Sequence, residues 1–211
     1  MGLVTCQISI SLDGFVAGPN QSQENPIGEG GLRLHEWVFG TASWRRQQGE
    51  SGGADDADSA VIDEATGGVG AYVMGRNMFS PGRGDWDLDW RGWWGDDPPC
   101  HVPVFVLTHH PREPLPMLGG TTFNFVTDGI AAALEQAQAA AGEGNVQIAG
   151  GASTIGQYIK AGSLEELYLH IVPIVLGSGE RLLDDVGDPL LEPIKVIASP
   201  KVTHIKYRVA K

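Results

Sequence analysis

The chain is 211 residues long, 42% apolar and 19% charged, enough for one domain with a real core and unlike a disordered tail or a coiled coil. Its 14 Lys and Arg against 26 Asp and Glu leave a net charge of −12, which excludes non-specific binding to nucleic acid or an anionic membrane, because a phosphate backbone demands a basic footprint. No apolar run approaches the roughly 18 residues that cross a bilayer, no basic-then-apolar leader opens the sequence, and Cys6 and Cys100 make no disulfide framework, so a cytoplasmic protein with reduced thiols is expected.

Residues 3–10 alternate Val4, Cys6, Ile8 and Ile10 with polar neighbours, the period of a half-buried strand. The strand exits into Ser11-Leu12-Asp13-Gly14-Phe15, a turn signal. A loop rich in Gly, Pro and Asn covers 18–31, a short helix is expected over 32–39, and 49–54 is a flexible link. Residues 55–65 read as a helix with acidic groups in its first turn, where the dipole favours them. A compact strand over 71–74 ends at Gly75-Arg76-Asn77, and a loop carrying Trp86, Trp90, Trp93 and Trp94 follows. The run 103–108 (PVFVLT) suits a strand buried on both faces and ends at His109-His110-Pro111-Arg112.

Another strand is expected over 123–126. Asp128 is placed to cap a helix over 130–141, with Ile130, Ala133, Leu134 and Ala137 on one face and Gly142 as its stop. The strand 146–149 runs into Gly150-Gly151, and a helix carrying Ile155, Tyr158 and Ile159 on one stripe runs to Gly162. A long apolar strand, interrupted by Pro173, is expected over 167–176, and a late antiparallel strand over 202–209. Strands and helices alternate through the middle and strands dominate the end. This predicts a single α/β domain over 1–211, with a central mixed sheet, mostly parallel but antiparallel at the C-terminal strands, flanked by helices.

Chemistry gathers at strand ends. Gly150 and Gly151 present bare backbone, and the helix that starts at once offers free amides and a positive dipole end, with Ala152, Ser153 and Thr154 in its first turn. This is neither G-x-G-x-x-G nor a P-loop. It reads as a phosphate cradle or as a tight capped turn. Arg76, His109, His110 and Arg112 follow other strand ends, where α/β sheets collect ligands. In so acidic a chain this placement suits a dinucleotide with an extra 2′-phosphate, and each cation taken singly reads as a solvated surface charge. Adjacent histidines on a strand end point in opposite directions, so no metal is expected. The tryptophans either stack on a flat heterocycle as a lid or pin a long loop. The acidic run from Glu50 to Glu64 reads as a solvated helix face, and spacing does not select a proton-handling carboxylate from it.

The order strand–SLDG, strand–MGR, PVFVLTHHP, strand–AGGAST–helix and ELYLHIVPIVLGSGERLL resembles the dihydrofolate reductase-like superfamily. It is most similar to the C-terminal reductase domain of the bacterial riboflavin-biosynthesis bifunctional deaminase–reductase and its stand-alone relatives. The resemblance runs from Leu3 to about Val209. It implies a sheet of about eight strands, NADPH as hydride donor, and a homodimer built on C-terminal strands. Carried over by motif, Gly75, Arg76, Thr108, His109, Gly150, Gly151, Ala152 and Ser153 would bind the cofactor, with Thr108 and His109 near the adenosine 2′-phosphate. Ser11, Gly14 and Trp86 would border the substrate. The zinc deaminase half is absent, since Pro98-Pro99-Cys100 lacks its second cysteine and H-x-E partner. The family's Gly-Arg-x-Thr reads Gly75-Arg76-Asn77-Met78, without the phosphate-binding hydroxyl, and insertions at about 18–31 and 82–100 flank the pocket.

These readings together describe an NADPH-dependent reductase of a pteridine- or aminopyrimidine-like heterocycle, resembling a 5-amino-6-(5-phosphoribosylamino)uracil reductase or a dihydrofolate reductase. Asp13, Asp58 or a bound water would supply the proton. The alternative is a non-catalytic nucleotide- or small-molecule-binding protein that kept the fold.

Overall fold

The computed structural model describes residues 2–210. Its strands are β1 (Val4–Ser11), β2 (Phe15–Ala17), β3 (Val69–Gly75), β4 (Pro103–Leu107), β5 (Leu115–Pro116), β6 (Thr122–Val126), β7 (Asn145–Gly150), β8 (Glu166–Val172), β9 (Glu180–Arg181), β10 (Leu190–Ala198) and β11 (Thr203–Ala210). Its helices are α1 (Glu36–Phe39), α2 (Ala42–Gln47), α3 (Ala57–Thr66), α4 (Arg76–Phe79), α5 (Gly129–Ala141) and α6 (Ala152–Lys160).

Nine strands form one sheet in the order β10-β11-β8-β1-β7-β3-β4-β6-β5, and β2 pairs with β9 apart from it. The six strands from β8 to β6 run parallel. β11 and β10 add antiparallel at one edge and β5 at the other. The expected mixed α/β sheet is therefore the architecture of the chain.

Apolar side chains decide which face each helix covers. Ala133 and Ala137 of α5 are fully buried, and so are Ile155 and Tyr158 of α6, in one core with Val73, Ile148 and Leu167. Burying each large side chain of that stripe contributes about 1.5–3 kcal/mol. Tyr158 also donates its hydroxyl to the Ile130 carbonyl (2.8 Å), which ties α6 to α5. On the other face, Leu34, Trp37 and Ile62 pack against Val172 and Val202.

Several expectations need correction. The strand expected over 167–176 stops at Val172, because Pro173 has no amide to continue a ladder. Asp128 holds the N-cap position of α5 but makes no side-chain cap bond. The helix expected over 32–39 is a 3-10 turn (Gly31–Leu34) followed by one α-turn in α1. β10 was not anticipated: apart from half-buried Leu191 and Ile197 its residues are exposed, and a bulge between Pro193 and Lys195 breaks its period, so it carries no clear alternation.

Candidate active site

All six parallel strands end at one rim. In register, Met74 pairs with Gly150 and Gly75 pairs with Leu107, so the ends of β7, β3 and β4 are neighbours. The structure thus brings Gly150-Gly151, Gly75-Arg76 and Thr108-His109 side by side. Each lies at the carboxyl end of a strand, where open α/β sheets bind ligands.

The glycines are there for different reasons. Gly75 lies against α6, and a Cβ on it would stand 2.5 Å from Thr154 Oγ1. Gly150 has φ +134, a conformation L side chains rarely adopt. A Cβ on Gly151 would meet nothing within 4 Å, and Gly151 is exposed at the N-cap of α6. The amides of Ala152 and Ser153 precede the first helical bond, which Thr154 and Ile155 make to the Gly151 carbonyl (3.0 and 3.1 Å). An open face of bare backbone and free amides beside a helix dipole is an anion cradle. Ala152 is buried beneath it and Ser153 is exposed.

Arg76 and Arg112 converge from the next strand ends. The Arg76 guanidinium lies 3.9 Å over the Trp86 ring, and Arg112 lies 5.5 Å from the same ring. Arg112 donates to the carbonyls of Leu88 (3.1 Å) and Trp90 (2.9 Å). Arg76 Nε and Arg112 Nη1 are enclosed and lack a hydrogen-bond partner among the described residues, with aromatic rings packed beside both guanidiniums. Partial burial lowers the pKa of both from the ordinary arginine value. Thr108 is buried and closes a turn with its side chain, accepting from the His110 amide (3.1 Å), while His109 is exposed.

The structure does not bring Trp86 to Ser11 and Gly14. Trp86 packs on Phe79 and Phe125 and donates to the His110 carbonyl (2.8 Å). That places it by β4 and β6, and β4 lies three positions from β1, roughly 14 Å across the sheet. Trp90 donates to the Phe79 carbonyl (2.8 Å) and Trp94 stacks on Phe123. These rings fasten the loop to the sheet, which is the simpler of the two readings the sequence allowed.

Asp13 is not built as a proton donor. It accepts from Ser11 Oγ (2.6 Å) and from the amides of Leu176 (3.1 Å) and Gly177 (2.7 Å). Those bonds, the Ser11 hydroxyl first, hold its pKa at about 2, so it carries no proton near neutral pH. Ser11 also accepts from the Phe15 amide (2.9 Å), and Arg181 reaches the Asp13 carbonyl (3.0 Å). The first-strand loop is therefore a stapled turn, in which Gly14 takes φ +88. Asp58 is 2% exposed and faces inward to His204 Nε2 (3.1 Å). It does not open onto the rim surface.

Sequence reasoning missed the partners of Asp58. His170 and His204 are 3% and 0% exposed and share a 2.9 Å bond between their Nδ1 atoms. A signal was present for His170, which stands within the apolar run of β8, where a buried imidazole requires a partner; His204 shares its period with Lys206 and Arg208 and gave none.

The RibD C-terminal domain family model matches residues 3–205 of this sequence. No curated protein matches it. Among solved structures, the chain is similar to a protein assigned to riboflavin biosynthesis from Shewanella sp. PV-4, with 20% identity, TM-score 0.61 and 99% of each chain covered. It is similar to a pyrimidine reductase-like protein from Corynebacterium diphtheriae, with 13% identity, TM-score 0.57, and 100% of this chain and 92% of that one covered. It is also similar to dihydrofolate reductase from Enterococcus faecalis, solved with NADP(H), with 14% identity, TM-score 0.55, and 100% and 98% covered. At these identities the structural likeness shows the dihydrofolate reductase-like fold. With the family match spanning nearly the whole sequence, the chain belongs to the RibD C-terminal domain family.

Proposed function

We propose that this chain, a RibD-type reductase, uses NADPH to reduce a flat pteridine- or aminopyrimidine-like heterocycle. The observation that carries the reading is the row of three neighbouring strand ends, in which Gly151 faces open space while Gly75 and Gly150 tolerate no side chain. The residues present fit a dinucleotide. Gly150, Gly151 and the first amides of α6 would hold the pyrophosphate, and Ser153 stands beside them. Arg76, with Thr108 and His109 on the next strand, would hold the adenosine end and its 2′-phosphate.

The cofactor's nicotinamide supplies the hydride, and the protein supplies orientation, charge and exclusion of water. Ser11 and Gly14 belong to a loop stapled at the end of β1, next in the sheet to β7 and its glycines. That neighbourhood supports a substrate position between β1 and β7, beside Ser11 and Gly14. Neither Asp13 nor the surface of Asp58 offers a proton directly, so the last proton transfer to substrate falls to water.

Two further readings belong here. Cys6 and Cys100 are both free thiols and no helix among the described residues is long and apolar enough to cross a membrane, which supports a place in the reducing cytoplasm. Leu190, Ile194 and Val196 on edge strand β10 are 61%, 42% and 62% exposed, uncovered apolar surface that supports a homodimer through the C-terminal strands.

The test is a panel of dihydropteridines and aminopyrimidines, with NADPH oxidation followed by absorbance. Turnover of at least one of them is expected. Tight NADPH binding without turnover across the panel would favour a binding protein, and no NADPH binding at millimolar concentration would refute the proposal.

A further inference from the structure

Beneath the first-strand loop, four polar side chains run in series through the protein. Asp58 Oδ1 meets His204 Nε2 at 3.1 Å, His204 Nδ1 meets His170 Nδ1 at 2.9 Å, and His170 Nε2 meets Gln7 Oε1 at 3.3 Å. They join α3, β11, β8 and β1. Ser9, His170 and His204 form one register row, two residues below Ser11 and Val172, about 7 Å from the rim. Trp37 closes the row from above, with its ring centroid 5.0 Å from each imidazole and its Nε1 donating to Ser9 Oγ (3.0 Å).

Hydrogen-bond bookkeeping with an ionised Asp58 leaves two proton arrangements. An ionised Asp58 only accepts, so His204 Nε2 carries a proton. With Gln7 Oε1 turned to His170, His170 Nε2 must donate and its Nδ1 must accept. His204 Nδ1 then also donates, and His204 is an imidazolium paired with Asp58. With the Gln7 amide rotated, its NH2 donates to His170 Nε2, His170 Nδ1 donates to His204, and both rings are neutral. The two arrangements differ by one proton, and neither leaves a ring nitrogen unpaired. Burial and the neighbouring His204 and His35 hold His170 down at about 3, which agrees with a neutral His170 in both.

The far end of the series reaches a small cavity of about 40 Å³ that Gln7 lines together with Gln147 and Tyr168. Gln147 Oε1 and the Tyr168 hydroxyl are enclosed without a partner. Orphaned polar atoms around a space that size call for water. Glu64, Glu166 and Lys206 form its outer wall, with Lys206 bonded to Glu166 (2.8 Å) and Glu64 (3.6 Å). Other charged or titratable groups near the row are His35, which acts on His170 from beside α1, and Lys195 of β10, bonded to Glu64 (2.7 Å). At the near end, Asp58 stands in the first turn of α3, where the helix dipole favours a carboxylate.

We propose that Asp58, His204, His170 and Gln7 form a one-proton store, loaded by rotation of the Gln7 amide, whose charge governs turnover at the rim above. Only the clause about turnover rests on the reductase reading. Reducing a C=N or C=O bond by hydride adds hydride to carbon and one proton to nitrogen or oxygen. The store loads and unloads through the cavity, and Trp37 closes it from above, so it acts on the rim through its charge while the added proton reaches the substrate from water. His204, His170 and Gln7 are positioning residues in this scheme, because none of them touches the rim.

The experiment is a pH titration of the whole protein, free of ligands, by NMR of the histidine ring nitrogens and the Gln7 side-chain amide. His204 is expected to pass from two N–H groups to one as pH rises, with the Gln7 amide shifting in the same transition. Gln7→Glu, which only accepts when ionised, should move that transition upward by about one pH unit or more. Asp58→Asn should move it downward, since the carboxylate that stabilises the imidazolium is gone. A His204 that keeps one protonation state across the folded range, with Gln7 unmoved, would overturn the store. In turnover assays, activity should fall as pH rises through the transition, and Gln7→Glu should carry that fall to higher pH by the same shift. If the NMR transition moves and the activity profile does not, the link to turnover is refuted. NADPH titration of the wild type decides the reductase reading separately: failure to bind would remove the link to turnover and leave the NMR result standing.

Discussion

At the scale of single residues, Gly151 and Arg76 are the sharpest tests of the cofactor site. The backbone of Gly151 is extended and a Cβ there meets open space, so Gly151→Val should fold normally. Its side chain would occupy the approach to the α6 amides, and NADPH affinity should drop at least tenfold, about 1.4 kcal/mol, read by quenching of tryptophan fluorescence. Arg76→Ala should weaken NADPH about tenfold more than NADH if the guanidinium meets the 2′-phosphate, and equal losses would remove that role. Both residues stand out in the sequence by their place at strand ends, where a tight capped turn and a solvated surface charge are the competing readings. Asp13 and Asp58 were legible only as carboxylates. What decides their chemistry is the set of donors around them, Ser11 and the amides of Leu176 and Gly177 for one and His204 for the other, and most of those donors lie far away in sequence.

At the scale of elements, the contact between β3 and α6 rests on a missing side chain. Gly75→Ala would press a methyl group to 2.5 Å from Thr154 Oγ1 and should destabilise the protein by about 1–3 kcal/mol. Thr154→Ala in the same chain removes the clashing oxygen and should recover much of that loss in thermal denaturation. The β8–β11 pair makes a second prediction. The folded pKa of His170 lies at about 3, below the ordinary 6.5, so the unfolded chain binds a proton that the folded chain refuses. Stability is therefore lost as pH falls from about 6.5 toward 3, by up to about 1.4 kcal/mol per pH unit from this group. Urea denaturation between pH 6.5 and 4.5 should show that slope, and His170→Asn should flatten it. Most of these elements were legible in sequence, since α5 and α6 carry apolar stripes and β4 is one apolar run. β10 was not, because a largely exposed edge strand broken by a bulge has no clear periodicity to read.

At the scale of the whole molecule, the unpaired edge of β10 bears on assembly. Val196→Lys places a charge on an exposed apolar position of that strand and should shift a homodimer to monomer in analytical ultracentrifugation while leaving NADPH affinity unchanged. A monomeric wild type would refute the dimer. By itself, the amino-acid sequence determined the α/β class, the parallel centre with antiparallel late strands, and the glycine and cationic strand ends. Those features are local, written in period, turn chemistry and charge within a few neighbouring residues. Tertiary structure alone decided that three strand ends stand in one row, that Trp86 fastens a loop at β4 and β6 instead of facing Ser11, and that Asp58 is sealed against His204. Each of those facts depends on strand order and register, which bring together residues as distant as Asp58 and His204, and no local pattern encodes such pairings.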